Sequence, residues 1–172
     1  MSKRSTADPA SFLTGPAYAI AGMFVLFPIV DVLASVWPVL LGNPQWRYGS
    51  VGVGANYLLS GVFGLIALAA IAALRGHSGV LKVLTFLSAI GAILLVVGAL
   101  GFVLDVLQLR TSVPRDNPRT LWMFDIGAAK ASLKYLLAAI VLLWLALAAR
   151  RAARAAKAAG GDAGAPALIH PA

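Results

Sequence analysis

The chain has 172 residues, of which 60% are hydrophobic and only 12% are charged, and its mean hydropathy is +0.89. This composition is far more apolar than that of a soluble domain of the same length, so it predicts an integral membrane protein. The net charge is +8, and the absence of cysteine excludes disulfides, thiolate metal sites and cysteine nucleophiles.

Four hydrophobic segments are each long enough to cross a bilayer as a helix. They cover residues 16–41, 51–74, 80–109 and 126–149. The connections between them are too short to hold a soluble domain. The sequence therefore predicts an all-α integral membrane bundle of four transmembrane helices at residues 16–149. An N-terminal segment at 1–15 precedes the bundle, and a basic helix extension with a flexible tail follows it at 150–172.

The distribution of basic residues predicts the orientation. An even number of spans places both termini on one side of the membrane, and that side carries eight of the fourteen Lys and Arg residues. Cytoplasmic segments of membrane proteins are enriched in Lys and Arg. We therefore expect a multi-pass protein of a bacterial cytoplasmic (inner) membrane, with both termini, including residues 1–15, in the cytoplasm.

Four basic residues directly follow the last span: Arg150, Arg151, Arg154 and Lys157. We expect them to continue the fourth helix beyond the membrane and to anchor it at the lipid headgroups. Recognition of nucleic acid or of a specific lipid is the alternative. Four cations on an Ala-rich stem without aromatic residues are a weak nucleic-acid signal, so no nucleic-acid partner is expected.

Small residues recur at helical spacing in the second and third spans. The pairs are Ser50 and Gly54, Ser60 and Gly64, and Gly91 and Gly98. Such spacing lets helix backbones approach closely in a membrane. We interpret it as packing within the four-helix bundle, with docking of another subunit as the alternative.

Asp31 is the one charged residue of the first hydrophobic segment. A carboxylate at this depth is costly, so it usually faces the bundle interior, takes a partner or stays protonated. Pro28 lies one turn earlier and frees a backbone carbonyl, so a kink there can form a small polar pocket near the acid. The equally simple alternative is that proline is tolerated here, as it commonly is in membrane helices. Asn56 and Tyr57 on the second helix are candidate neutral neighbours.

Depth along the helices suggests a partner for Asp31. Asp31 lies ten residues before the end of the first span, about 15 Å, and Lys134 lies nine residues after Asp125, about 14 Å. We therefore predict an Asp31–Lys134 ion pair, with Asp105 as a competing partner for Lys130 or Lys134. The alternative is that both lysines extend to the interface and that Asp31 is neutral or hydrated.

The sequence contains no recognisable catalytic or metal-binding pattern. Its two histidines, His77 and His170, lie in a short loop and in the tail, outside the predicted spans. Serine chemistry needs a base, and metal sites need clustered His, Asp or Glu ligands. We therefore expect no enzymatic activity, no catalytic residue and no cofactor, haem and metal ions included.

Two functions agree with these patterns. The first is a non-enzymatic structural or accessory role, as a subunit or assembly factor of a larger membrane complex or as a homo-oligomer. The second is a small proton-linked transporter or channel component in which Asp31 exchanges a proton. The arrangement of four helices with an acid on the first helix resembles that of the small multidrug transporters. The chain has Asp where that family has Glu, and no binding residues are carried over.

Overall fold

The structure, a computed structural model, describes residues 10–113 and 118–162. These residues form four helices and no strand: α1 (Ala10–Val36), α2 (Pro44–Leu74), α3 (Ser78–Arg110) and α4 (Pro118–Asp162). Each helix contains a segment that is long and apolar enough to cross a membrane. The predicted all-α bundle of four transmembrane helices is confirmed. Four such helices are the arrangement of a multi-pass membrane protein.

Local backbone chemistry moves the helix ends away from the limits predicted by hydropathy. Helix α1 ends at Val36 rather than at residue 41, because Trp37 precedes Pro38 and a residue before proline disfavours the helical conformation. Helix α2 begins at Pro44, seven residues before the predicted start. The Asn43 side chain accepts hydrogen bonds from the first-turn N–H groups of Gln45 and Trp46, at 2.9 and 3.2 Å, so it caps the helix.

The turn between α2 and α3 is short and well defined. Gly76 has a φ of +67°, a conformation that favours glycine, and it follows the last residues of α2. The N–H of His77 donates to the carbonyl of Ala72 at 2.8 Å, and the N–H of Gly76 donates to that of Ala73 at 3.2 Å. These two bonds form a Schellman motif that ends α2 and reverses the chain.

Helices α2, α3 and α4 pack against one another and form the core. The core has three buried layers, each with one residue from α2, one from α3 and two from α4. They comprise Ala55, Phe102, Ala128 and Ala131; Val62, Ala92, Ala138 and Leu142; and Ala72, Leu81, Ala149 and Ala153. The α4 positions repeat at coiled-coil spacing and are mostly alanine, which lets the helices approach closely in a membrane.

Helix α1 is peripheral. Within the described part of the chain, its backbone lies close to α2 but not to α3 or α4. The contact centres on Gly64, where a Cβ atom would lie 2.9 Å from the carbonyl oxygen of Ala21. Gly54 and Gly91 are similarly close to Tyr135 and Leu142 of α4. At these three glycines the predicted intrachain packing is confirmed.

Hydrogen bonds hold α1 at both ends. The Tyr18 hydroxyl lies 2.9 Å from Nδ1 of His77, and the indole N–H of Trp46 donates to the carbonyl of Val36 at 3.0 Å. We call the two ends of the bundle the His77 end, where the α2–α3 turn lies, and the Arg47 end, where the α1–α2 and α3–α4 connections lie.

Candidate functional site

Asp31 is exposed on α1. It lies thirteen residues after Tyr18 and five residues before Val36, so it is about 20 Å from the His77-end attachment and about 8 Å from the other. The exposed side chains of Phe27 and Val30 flank it. No hydrogen bond or ion pair joins Asp31 to another of the residues that the structure describes. The fold therefore leaves a carboxylate on the outside of a membrane-spanning helix.

The prediction of an ion pair between Asp31 and Lys134 is wrong. Nζ of Lys134 donates instead to Oδ1 of Asn56 at 2.9 Å, across the interface between α4 and α2. Asp31 has the matching depth, but α1 packs on α2 and stays away from α4. Asn56 is likewise a partner of Lys134 and not the expected neighbour of Asp31.

Asp105 also has a different partner from those predicted. It is 8% exposed and forms an ion pair with Arg47 of α2, not with Lys130 or Lys134. Two nitrogens of the guanidinium bind the two carboxylate oxygens: Nε of Arg47 donates to Oδ2 at 2.8 Å, and Nη2 donates to Oδ1. This two-point geometry is stronger and more directional than a single contact.

Sequence reasoning missed the role of Arg47 because hydropathy placed this residue in a loop. The Asn43–Pro44 pair is the signal that identifies it as helical, since Asn is a preferred N-cap and Pro a preferred first residue of a helix. Once α2 starts at Pro44, Arg47 lies in its first turn, and the antiparallel neighbour α3 brings the end of its span alongside.

Other contacts join the helices at the Arg47 end. Arg110 of α3 pairs with Asp125 of α4 at 2.8 Å. The Tyr48 ring stacks on Phe102 and Phe124, with ring centroids 5.3 and 4.9 Å apart. These contacts link α2, α3 and α4, so we interpret the charged residues of both ion pairs as structural.

A groove between α2 and α4 contains four further polar side chains near this end. It has a volume of about 240 Å³, and we call it the lysine groove. Its lining includes Tyr48, Asn56, Phe102, Lys130 and Lys134. Two cations, an amide and a phenol thus surround one opening, which is suited to binding an anion.

A second cavity, of about 410 Å³, separates α1 from the three-helix core. We call it the apolar cleft, because its lining is almost entirely hydrophobic and includes Pro28, Ile29 and Val32 of α1. Asp31 is not among its lining residues. The polar pocket expected beside Pro28 is therefore replaced by an apolar space.

The basic cluster after the last span continues α4, which runs unbroken to Asp162. The side chains of Arg150, Arg151, Arg154 and Lys157 are all exposed, whereas Ala149 and Ala153 are buried against the bundle. The cations therefore point away from the packed face. Residues 163–172, which belong to the predicted extension and tail at 150–172, lie outside the described residues.

No protein-family model matches the chain, and no curated protein or solved structure is similar to it. Apart from the basic cluster, the charged groups described above divide into two kinds. The Arg47–Asp105 and Arg110–Asp125 pairs are neutralised within the fold. Asp31 and the lysine groove have no such neutralisation among the described residues, and these are the sites where the bundle can bind something else.

Proposed function

We propose that this protein is a non-enzymatic accessory subunit or assembly factor of a larger membrane complex, and that α1 binds the partner through Asp31. The observation that carries the proposal is the exposure of Asp31 on a membrane-spanning helix without a partner among the described residues. An ionised carboxylate costs about 3 kcal/mol at the centre of a bilayer and less toward the edge, where Asp31 lies, about 8 Å from the end of α1 and level with Lys134. A neighbouring protein that supplies a cation or hydrogen-bond donors at this depth removes that cost.

The position of α1 supports this proposal. Ile20, Phe24, Phe27 and Asp31 follow one another at helical spacing and are all exposed, so they form one stripe, which we call the Asp31 face. Apolar residues on such a stripe are normal in lipid and identify nothing by themselves. The carboxylate at its end distinguishes this face from an ordinary lipid-facing surface.

Proton-linked transport, the alternative from the sequence, has less support. A transporter of that kind needs the acid to face a path through the bundle. The apolar cleft is the large cavity beside α1, and Asp31 is not among its lining residues. An acid outside the cleft is better placed for binding a partner than for coupling to a substrate inside it.

Affinity purification from native membranes in mild detergent tests the proposal. The wild-type chain should co-purify with a stoichiometric partner, and Asp31→Leu should reduce its recovery about tenfold, because the buried polar contact is lost. Asp125→Asn is the matched control, since it also removes one acid but lies on α4. Asp31→Leu should leave the thermal stability of the isolated protein unchanged, because no described residue depends on Asp31.

Two results would contradict the accessory role. One is a wild-type protein that purifies alone, with no stoichiometric partner. The other is a partner recovered equally well with Asp31→Leu and with the wild type. pH-dependent flux in proteoliposomes that disappears in a folded Asp31→Asn variant would replace the accessory role by transport.

We also propose that the membrane is a bacterial inner membrane and that both termini are cytoplasmic. Arg75, Lys82 and the basic cluster after residue 149 belong to the His77 end, which gives this end a dense group of cations. Reporter proteins fused to the C-terminus test the orientation. A fluorescent protein that folds only in the cytoplasm should be fluorescent, and alkaline phosphatase, which is active only outside the cytoplasm, should be inactive. The reverse pattern would overturn it.

A further inference from the structure

The lysine groove has a positive charge that the described part of the fold does not neutralise. Lys130 and Lys134 are one helical turn apart on α4, so their side chains share one face. Lys134 bonds the neutral Asn56, and Lys130 forms no hydrogen bond or ion pair with the described residues. The nearby described acids are engaged elsewhere: Asp105 with an arginine of α2, and Asp125 with an arginine of α3.

The groove also offers one hydrogen-bond donor besides the lysines. The Asn56 side-chain oxygen accepts from Lys134, which leaves its NH₂ group to donate to a ligand. The Tyr48 hydroxyl, on the same groove wall, donates to the carbonyl of Phe124 at 3.4 Å and is not a free donor. A free amide donor beside two cations is suited to binding a phosphate group.

The depth of the groove matches the level of lipid phosphates. Lys130 lies twenty residues before Arg150, which is about 30 Å along α4, and Asn56 lies nineteen residues before Arg75, about 28 Å along α2. The hydrocarbon core of a bilayer is about 30 Å thick. If the basic residues of the His77 end mark one edge of the hydrocarbon, the groove lies at the other edge.

The surface adjoining the groove is apolar on the hydrocarbon side. Leu59 and Phe63 follow Asn56 by three and seven residues, so they lie below it on the same face of α2, and both are exposed. Leu137 follows Lys134 by three residues and is also exposed. A ligand with a charged head and an acyl chain fits this arrangement better than a free soluble anion.

We propose that the lysine groove binds an anionic phospholipid, with its phosphate at Lys130 and Lys134 and an acyl chain along Leu59, Phe63 and Leu137. This site is on α2 and α4, away from the Asp31 face, and does not depend on the accessory role proposed above. It differs from the basic cluster at the opposite end of α4, whose exposed cations all belong to α4, whereas the groove combines the lysines with Asn56 of α2.

Native mass spectrometry of the detergent-purified protein tests the proposal. The probes are phosphatidylglycerol, phosphatidylcholine with the same acyl chains, and inorganic phosphate. Phosphatidylglycerol should bind at least tenfold more tightly than the other two. Replacing both lysines by glutamine (Lys130→Gln and Lys134→Gln) should weaken its binding about thirtyfold, about fivefold for each cation.

Three further variants separate the groove from general charge and from folding. Arg150→Gln with Arg151→Gln removes the same charge at the other end and should change phosphatidylglycerol affinity less than twofold. Lys130→Gln alone should weaken binding about fivefold, and its side chain makes no hydrogen bond that folding needs. Gly52→Leu should weaken binding without changing any charge, since Gly52 lines the groove and has open space around its Cβ position.

Three outcomes would overturn the proposal. In the first, the wild type binds phosphatidylglycerol and phosphatidylcholine equally. In the second, the lysine and arginine double variants lose the same affinity, which assigns the preference to net charge. In the third, inorganic phosphate binds as tightly as phosphatidylglycerol, which assigns the groove to a soluble anion.

Discussion

Replacing Gly64 by alanine should push α1 slightly outward from α2 and destabilise the bundle without unfolding it. A Cβ atom at Gly64 would lie 2.7 Å from Cγ2 of Val25, 2.9 Å from the carbonyl oxygen of Ala21 and 3.0 Å from the carbonyl carbon of Phe24. The valine side chain can rotate, but the other two atoms belong to the backbone of α1. Relief of the overlap therefore requires α1 as a whole to move outward.

The size of the effect follows from two opposing contributions. Ordinary van der Waals contact begins at 3.4 Å, so α1 must move by roughly half an ångström, and overpacking of this kind costs about 1–3 kcal/mol. Alanine has a higher intrinsic helix propensity than glycine, by about 1 kcal/mol in water. The difference of the two contributions predicts that Gly64→Ala lowers the free energy of unfolding by up to about 2 kcal/mol.

Gly61→Ala is the matched control for this experiment. Gly61 lies one turn earlier on α2, and a Cβ atom there meets nothing within 4 Å. The same methyl group on the same helix should leave stability unchanged or raise it by up to about 1 kcal/mol. The difference between the two variants therefore isolates the contact with α1.

Two measurements check the prediction. Denaturation in bicelles gives the free energy of unfolding of each variant. Because the chain has no cysteine, spin labels attached at Leu33→Cys on α1 and Leu59→Cys on α2 report the distance between these helices without background. Gly64→Ala should broaden or lengthen that distance, whereas Gly61→Ala should not. Equal stability and equal distances in the two variants would refute the close approach of α1 to Gly64.

Three further substitutions probe polar groups within the bundle. Asp105→Asn should lower the free energy of unfolding by about 2 kcal/mol, because it removes the carboxylate of a pair whose acid side chain is only 11% exposed. Arg110→Gln should change it by less than about 0.5 kcal/mol, since Arg110 and its partner Asp125 are 52% and 39% exposed; a loss as large as that of Asp105→Asn would contradict this ranking. Ser88→Ala should be neutral or stabilise the protein by up to about 1 kcal/mol, because the buried Ser88 hydroxyl has no hydrogen-bond partner in the described structure, and a clear loss of stability would show that it has one.

The amino-acid sequence by itself determined the four apolar helices, because the ability of a segment to cross a bilayer depends on its own length and composition. It determined the helix ends less well. The capping side chain of Asn43 and the proline after Trp37 act on the backbone over one turn, and a hydropathy average over many residues does not register them.

Only the tertiary structure decided which polar groups meet. Counting residues along each helix places Asp31 and Lys134 at the same depth, which suggested an ion pair. Depth does not specify which helices are neighbours. In the described part of the chain, helix α1 packs against α2 and not against α4, so Asp31 lies on the outside of the bundle. Lys134 therefore forms its hydrogen bond with Asn56 of α2. Arg47 and Asp105 are 58 residues apart in the chain and were joined by the antiparallel contact of α2 with α3, an arrangement that no local pattern specifies.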